Sequence, residues 1–232
     1  MTRLILAGAN TRKMLSAMPV SQWLLESFVD TDHRNPLNEN RNYPWVLDCG
    51  AFTAYRQGKT IDLEEYADYT RAHHYEWCLS VDVIDGGPAD NAANFDHMIS
   101  LGVESVPVWH EGEPTSLLSD YCAAVKSYRV PLVAIGTQWP RVNTRVIREL
   151  DAAFTVATVP IHGLALVSYG GLYPFTSVDS RTWASACAKL TSSPWISLSL
   201  HDKISTYTKA IHASWAAQRR GTAPPCSQGV LL

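Results

Sequence analysis

Residues 46–52 read VLDCGAF, a run of strand-forming apolar residues that ends in an aspartate and continues into a small residue, a glycine and a phenylalanine. A carboxylate at the end of an apolar strand asks for a reason, and the rest of the chain supplies one. Similar short apolar runs recur at 3–8 (RLILAG), 45–50 (WVLDCG), 77–82 (WCLSVD), 105–110 (SVPVWH), 131–136 (PLVAIG), 159–166 (VPIHGLAL), 174–179 (PFTSVD) and 195–200 (WISLSL). Between them, 62–74, 88–101, 115–127, 142–153, 181–191 and 203–218 read as helices, with Asp62 and Glu65 in capping-box relation. Near-continuous apolar strands alternating with helices argue for a parallel sheet covered by helices. Eight such strands favour a closed α/β fold, a compact (β/α)8 TIM-type barrel, over an open sheet. A single domain over 1–220 is expected, with a polar loop at 30–44 and a loose tail at 221–232.

The 232 residues, 46% of them hydrophobic, suffice for one large core. A formal charge of -3, from 19 basic and 22 acidic residues, excludes a globally basic nucleic-acid coat but leaves room for a local basic face. The apolar stretch LILAGA is too short for a signal-peptide core or a membrane span, so a soluble, cytoplasmic protein is expected. Five cysteines stand singly, without C-x-x-C spacing, which predicts neither disulfides nor a structural metal.

In a barrel, the C-terminal strand ends share the face on which active sites are built. That face collects Asp48, Asp82, Asp85, His110, Glu111, Glu113, Gly136, Thr137, Gln138, His162, Asp179, His201 and Asp202. Any one of them reads equally as a helix cap or a turn residue; their recurrence across strands is what calls for chemistry. Asp48 and Asp179 stand out, since each ends an apolar strand and precedes a tight small-residue segment. Two carboxylates across a pocket can divide labour between attack on carbon and proton movement, as on sugar acetals and N-glycosides.

The stretch LDCGAFTAYRQGKTIDLEEYADY (47–69) resembles the aspartate-glycine segment of the tRNA-guanine transglycosylase superfamily, especially its short phage and bacterial branch, the DpdA-like DNA-guanine transglycosylases. SVDVID (80–85), VPVWHEGEP (106–114), VAIGTQ (133–138), IHGLAL (161–166) and PFTSVDSRTW (174–183) continue the likeness in order. The resemblance implies Asp179 as nucleophile and Asp48 as general acid/base. It implies Asp82, or Asp85 in its place, on the guanine edge, with Gly136 and Gln138 in the purine pocket. Gly50 would let the base approach the backbone, Phe52, His110, Glu113, His162 and Ser180 would line or orient the site, and no metal or other cofactor is required. The tRNA enzymes carry a zinc module that this chain lacks, so the implied reaction is exchange of guanine in DNA for a 7-deazaguanine such as preQ0, in a monomer in bacterial or phage-infected cytoplasm.

Such an enzyme must receive a flipped-out or single-stranded guanine. Phe52, Tyr55, Trp109, Trp139 and Tyr169 are the candidate stacking platforms, and Arg56, Lys59, Arg141, Arg145 and Arg148 the candidate phosphate contacts, the last three sharing one helix face. Ordinary packing and a solvated helix face are the plain alternatives for these groups. Rival readings stay open at this point: a tRNA-acting relative, a two-carboxylate glycoside or N-glycoside hydrolase, a metal-dependent hydrolase built on His110, His162, His201 and Asp179, and an inactive nucleic-acid-binding module.

Overall fold

The computed structural model describes residues 2–9, 11–19, 21–31, 42–137, 144–189 and 198–221. Eight parallel strands, β1 (Arg3–Ala7), β2 (Trp23–Ser27), β3 (Trp45–Asp48), β4 (Trp77–Cys78), β5 (Val108–His110), β6 (Val133–Gly136), β7 (Ile161–Gly163) and β8 (Ser177–Ser180), lie in the order β4-β3-β2-β1-β8-β7-β6-β5. The sheet curls until its two edges meet through one parallel bridge, Leu79 to Val106. There the Ser80 N–H donates to the Val106 carbonyl at 2.8 Å and the Val106 N–H to the Cys78 carbonyl at 2.7 Å. The result is a (β/α)8 TIM-type barrel in a single domain.

The helices among the described residues are α1 (Arg12–Leu15), α2 (Ala51–Arg56), α3 (Leu63–Ala72), α4 (Pro88–Ser100), α5 (Thr115–Tyr128), α6 (Thr144–Val156), α7 (Thr182–Lys189) and α8 (Leu200–Arg219). Their starts follow local chemistry. Asp62 accepts the Glu65 N–H at 2.9 Å to cap α3, Pro88 opens α4 where no N–H is needed, and Ser199 accepts the Asp202 N–H to cap α8.

Seven of the strands expected from sequence are present, shorter at their ends. The eighth is a correction. Of 195–200, residues 195–197 lie outside the described residues, and Leu200 opens α8. The missing strand is β2, WLLES, which has three apolar residues, no β-branched one, and then Glu26. Such a run looks helical by propensity. It becomes a strand because β1 and β3 flank it, and because buried Glu26 accepts the Tyr75 hydroxyl at 2.8 Å, a partner 49 positions away.

Register decides which side chains enter the barrel. Ile5 pairs with Asp179, Val46 with Trp77, Ser27 with Asp48 and His162 with Ser177. With alternation along each strand, Asp48, Trp77, His162, Ser177 and Asp179 face inward. Leu47 and Cys78 face the helix layer, where they pack with Tyr66, Ala67 and Met98 in a cluster of their own. Outside the barrel, fully buried Trp183 and Trp215 each donate an indole N–H at 2.7 Å, to the Ala7 and Val167 carbonyls. α8 docks flush because Gly170 and Gly171 have no side chain: a Cβ there would stand 2.5 and 2.6 Å from Trp215 atoms.

The turn at the end of β3 is equally tight. Gly50 holds φ +81°, and a Cβ on it would lie 2.6 Å from Ser27 Oγ and 3.0 Å from Val29. Gly50→Ala is therefore expected to destabilise the protein by about 2 kcal/mol or more, read as a lowered urea midpoint at an unchanged denaturant slope.

Candidate functional site

Asp48 and Asp179 meet at the C-terminal mouth of the barrel, in a cavity of about 310 Å³. Its lining includes Ala7, Gly8, Thr11 and Arg12 from the end of β1 and the start of α1, Leu25 and Ser27 from β2, and Asp30 and Arg181 beyond β2 and β8. The volume stands at the low end of small-ligand pockets. Acids occupy its depth and two guanidinium groups its rim.

Asp48 is held by its own turn, where Oδ1 accepts the Gly50 N–H at 3.1 Å. Burial pushes its carboxyl up from 3.8 to about 6, the Gly50 hydrogen bond opposes this, the charges of Asp179 and Asp82 add to it, and Arg181 pulls back. Asp179 is built in from the opposite side: its Oδ1 accepts the Ala165 N–H at 2.8 Å and stands 3.5 Å from His162 Nε2. His162 is wholly buried, with Nδ1 at 2.9 Å from Ser177 Oγ and its ring edge-on to Trp77 at 5.0 Å.

A second charged group lies beside the cavity. His110 Nε2 stands 3.3 Å from Asp82 Oδ2 and Nδ1 stands 3.7 Å from Glu113 Oε1, while the His110 N–H donates to Glu113 Oε2 at 2.8 Å. Burial works against the imidazolium, but the contacts with Asp82 and Glu113 outweigh it and raise His110 to about 10. His110 is thus a fixed cation between two acids. Gly136 is where the ring rests, since a Cβ there would come within 3.1 Å of His110 Cδ2.

The geometry places the residues named from sequence as follows. Asp82 faces His110, and Asp85 sits exposed in the turn before α4. At Gly50 the approach of Ser27 and Val29 by itself excludes a side chain. His162 lies beneath Asp179 and out of reach of solvent. Ser180 points to the helix layer, its Oγ 2.9 Å from the Tyr207 hydroxyl and 2.8 Å from Thr182 Oγ1. Of the aromatic platforms, Trp109 and Tyr169 are wholly buried core, whereas Phe52 and Tyr55 are 62% and 51% exposed on α2. Trp139, Gln138 and Arg141 lie outside the described residues.

Of the expected basic face, one of the described cations is already paired. Arg145 Nε is 2.8 Å from Glu111 Oε1, a carboxylate whose side chain is 1% exposed, so its charge is already committed. Arg148, Arg56 and Lys59 are exposed, Arg56 lying 6.0 Å from the Phe52 ring centroid. The histidines of the metal reading are dispersed as well: His201 Nδ1 is 3.1 Å from the Ala17 carbonyl, and among the described residues no group of three or more His, Cys, Asp or Glu side chains is placed to hold a metal ion. Sequence reasoning missed Arg12, Asp30 and Arg181, which follow strand ends; Arg181 lies inside the quoted block PFTSVDSRTW but was given no role.

No family model and no curated protein matches the chain by sequence. Solved structures match by fold. A mutant tryptophan synthase alpha-subunit from the hyperthermophile Pyrococcus furiosus superposes with a TM-score of 0.54 at 11% identity, covering 95% of this chain and 97% of that one. A chain of the tryptophan synthase a2b2 complex from the same organism gives 0.52 at 11%, covering 88% and 95%. A protein from Aquifex aeolicus VF5 gives 0.50 at 12%, covering 94% and 90%. Identity this low carries the fold alone. The two Pyrococcus furiosus neighbours are tryptophan synthase chains and not transglycosylases, and no comparison points to a transglycosylase, so that expectation is corrected together with its base exchange, glycosyltransferase class and DNA partner. The hydrolase rivals gain no support from them either. The physical reason for the misleading likeness is visible at DCGAF: aspartate accepting the glycine N–H, then glycine in the left-handed region opening a helix, builds a strand-to-helix turn, and a local feature of the fold does not carry a function.

Proposed function

We propose that the chain is an acid–base enzyme of the lyase or isomerase kind, acting on a small molecule that carries an anionic group. The observation that carries this reading is the Asp48 carboxyl, raised to about 6 in a cavity it shares with Asp179. A carboxyl that titrates near neutrality can give and take a proton within one turnover, and strongly shifted groups in clefts concentrate at catalytic sites. Asp48 is assigned the proton donor and Asp179 the acceptor, while Arg12 and Arg181 at the rim take the anionic end of the substrate. Arg181 reaches Asp30 only at 3.9 Å, which leaves its fork of donors available to a ligand. The cavity also lies at the end of the barrel where enzymes of this fold place their chemistry.

Cys49, Cys78, Cys122 and Cys187 are buried and unpaired, which suits our placement of the protein in a reducing cytoplasm. No helix among the described residues is long and apolar enough to cross a membrane.

The reading is tested by incubating the protein in D2O with a panel of small hydroxy- and oxo-carboxylates and phosphate monoesters, following deuterium uptake at carbon by NMR. Uptake into at least one member is expected, reduced on the order of 100-fold by Asp48→Asn or Asp179→Asn, while Arg181→Ala raises KM about 10-fold. Absence of both binding and uptake across the panel would sink the proposal.

The raised carboxyl also sets a pH dependence of stability. Folding favours the protonated form of Asp48, so this stabilisation is full below about pH 4 and is lost as pH rises through 6. Asp48→Asn, which stays neutral, is expected to gain about 1–3 kcal/mol over the parent protein between about pH 4 and pH 8, measured as the difference between their urea unfolding free energies. A difference that does not change with pH would show that Asp48 titrates normally.

A further inference from the structure

Asp179 has an asymmetric setting that the acid–base reading leaves unused. Both of its partners converge on one oxygen. Oδ1 takes the Ala165 N–H at 2.8 Å and faces His162 Nε2 at 3.5 Å, and Oδ2 has no hydrogen-bond partner among the described residues. Ala165 adopts φ +54°, one of three non-glycine residues described with positive φ. Left-handed backbone at a non-glycine residue is strained, and such strain collects at functional sites. Here the strain aims an N–H at the carboxylate.

His162 extends the same arrangement downward. Its Nδ1 meets Ser177 Oγ at 2.9 Å, and its buried Nε2 has no partner other than the 3.5 Å approach to Asp179. Ser177 and Asp179 are alternate residues of β8, so both face the barrel axis, and the pairing of His162 with Ser177 brings the imidazole between them. Only two neutral forms of the ring exist. With the proton on Nδ1, donated to Ser177 Oγ, the Nε2 lone pair would face the lone pairs of Oδ1. With the proton on Nε2, Ser177 donates to Nδ1 and the ring donates toward Asp179, a long contact of the sort that tightens when a substrate is bound.

We propose that His162 is a positioning residue for Asp179. Ser177 holds the imidazole in the Nε2–H form, and His162 and the Ala165 N–H together occupy Oδ1, so that Oδ2 alone is presented to the substrate as the proton acceptor. No bond forms or breaks at His162; it keeps its proton throughout. The kinetic part of the proposal rests on the acid–base reading, whereas the tautomer does not.

The test has two arms. In the first, long-range 1H–15N NMR of the labelled, ligand-free protein reads the His162 ring, with His162→Gln used to assign its signals. The expected result is a bare Nδ1 and a protonated Nε2 in the parent protein, converting to a tautomer mixture in Ser177→Ala. A proton on Nδ1 in the parent, alone or with Nε2 also protonated, overturns the proposal. In the second arm, turnover of whichever panel substrate exchanges deuterium is compared in His162→Gln, which keeps an N–H near the position of Nε2, and His162→Leu, which does not. The expected outcome is a kcat about 10-fold lower in the leucine variant than in the glutamine variant, at similar KM and similar melting temperature; equal kcat in the two overturns the positioning role. Should neither variant fold, the tautomer of the parent protein and of Ser177→Ala decides alone. A correct tautomer in a protein that exchanges no substrate proton would count against the acid–base reading and not against the Ser177–His162–Asp179 geometry.

Discussion

The mouth of this barrel depends on strand register. Ile5 opposite Asp179, Ser27 opposite Asp48 and His162 opposite Ser177 are settings of a parallel ladder. In such a ladder a slip of one residue turns every side chain to the other face. A slip in β8 would send Asp179 toward the helices and bring Ser180 inward, exchanging a carboxylate for a hydroxyl at the cavity. What resists the slip is burial on both faces: Val178 is wholly buried on one side, while Ser177 and Asp179 find His162 and Ala165 on the other. Closure of the ring through the single bridge from Leu79 to Val106 then brings the two ends of the sheet together.

Charge at the mouth is arranged in two ways that serve different ends. Around His110, Asp82 and Glu113 form a cluster in which each charge has an opposite partner within 3.7 Å. Around Asp48 the compensation is incomplete. Burial raises it most, two other carboxylates add to this, and the Gly50 N–H and Arg181 offset it only partly, so the carboxyl keeps its proton to near neutrality. The same contrast separates Arg145, bound to buried Glu111, from Arg181, held loosely at the rim. Pairing makes scaffold out of charge, and withheld pairing leaves reactivity.

Legibility from sequence followed the range of the interactions involved. The periodicity of RLILA, WVLD and VAIG is local, and so are the Asp62 and Ser199 caps, which is why seven strands and six helices stand close to their expected positions. Asp48 and Asp179 were also legible, because a carboxylate ending an apolar strand is a local contradiction. β2 was not, since its partners for Glu26 and for its ladder come from residues far along the chain. Nor was the fate of Trp109, Tyr169 and Ser180: each lies near a strand end, but only packing shows whether it faces inward to core or outward to a helix. The short motifs misled for a related reason, as DCGAF encodes a strand-to-helix turn, and a turn does not say what is bound.

By itself, then, the amino-acid order determined that strands and helices alternate to form a barrel, and that acids sit at the ends of β3 and β8. Both follow from hydrophobic spacing and from backbone preferences acting over a few residues. Tertiary structure alone decided that Asp48 is buried enough to hold its proton, that Arg145 is occupied and Arg181 is at the rim, and that one oxygen of Asp179 is held by Ala165 and faced by His162. Those outcomes depend on distances between residues far apart along the chain, and no local pattern carries them.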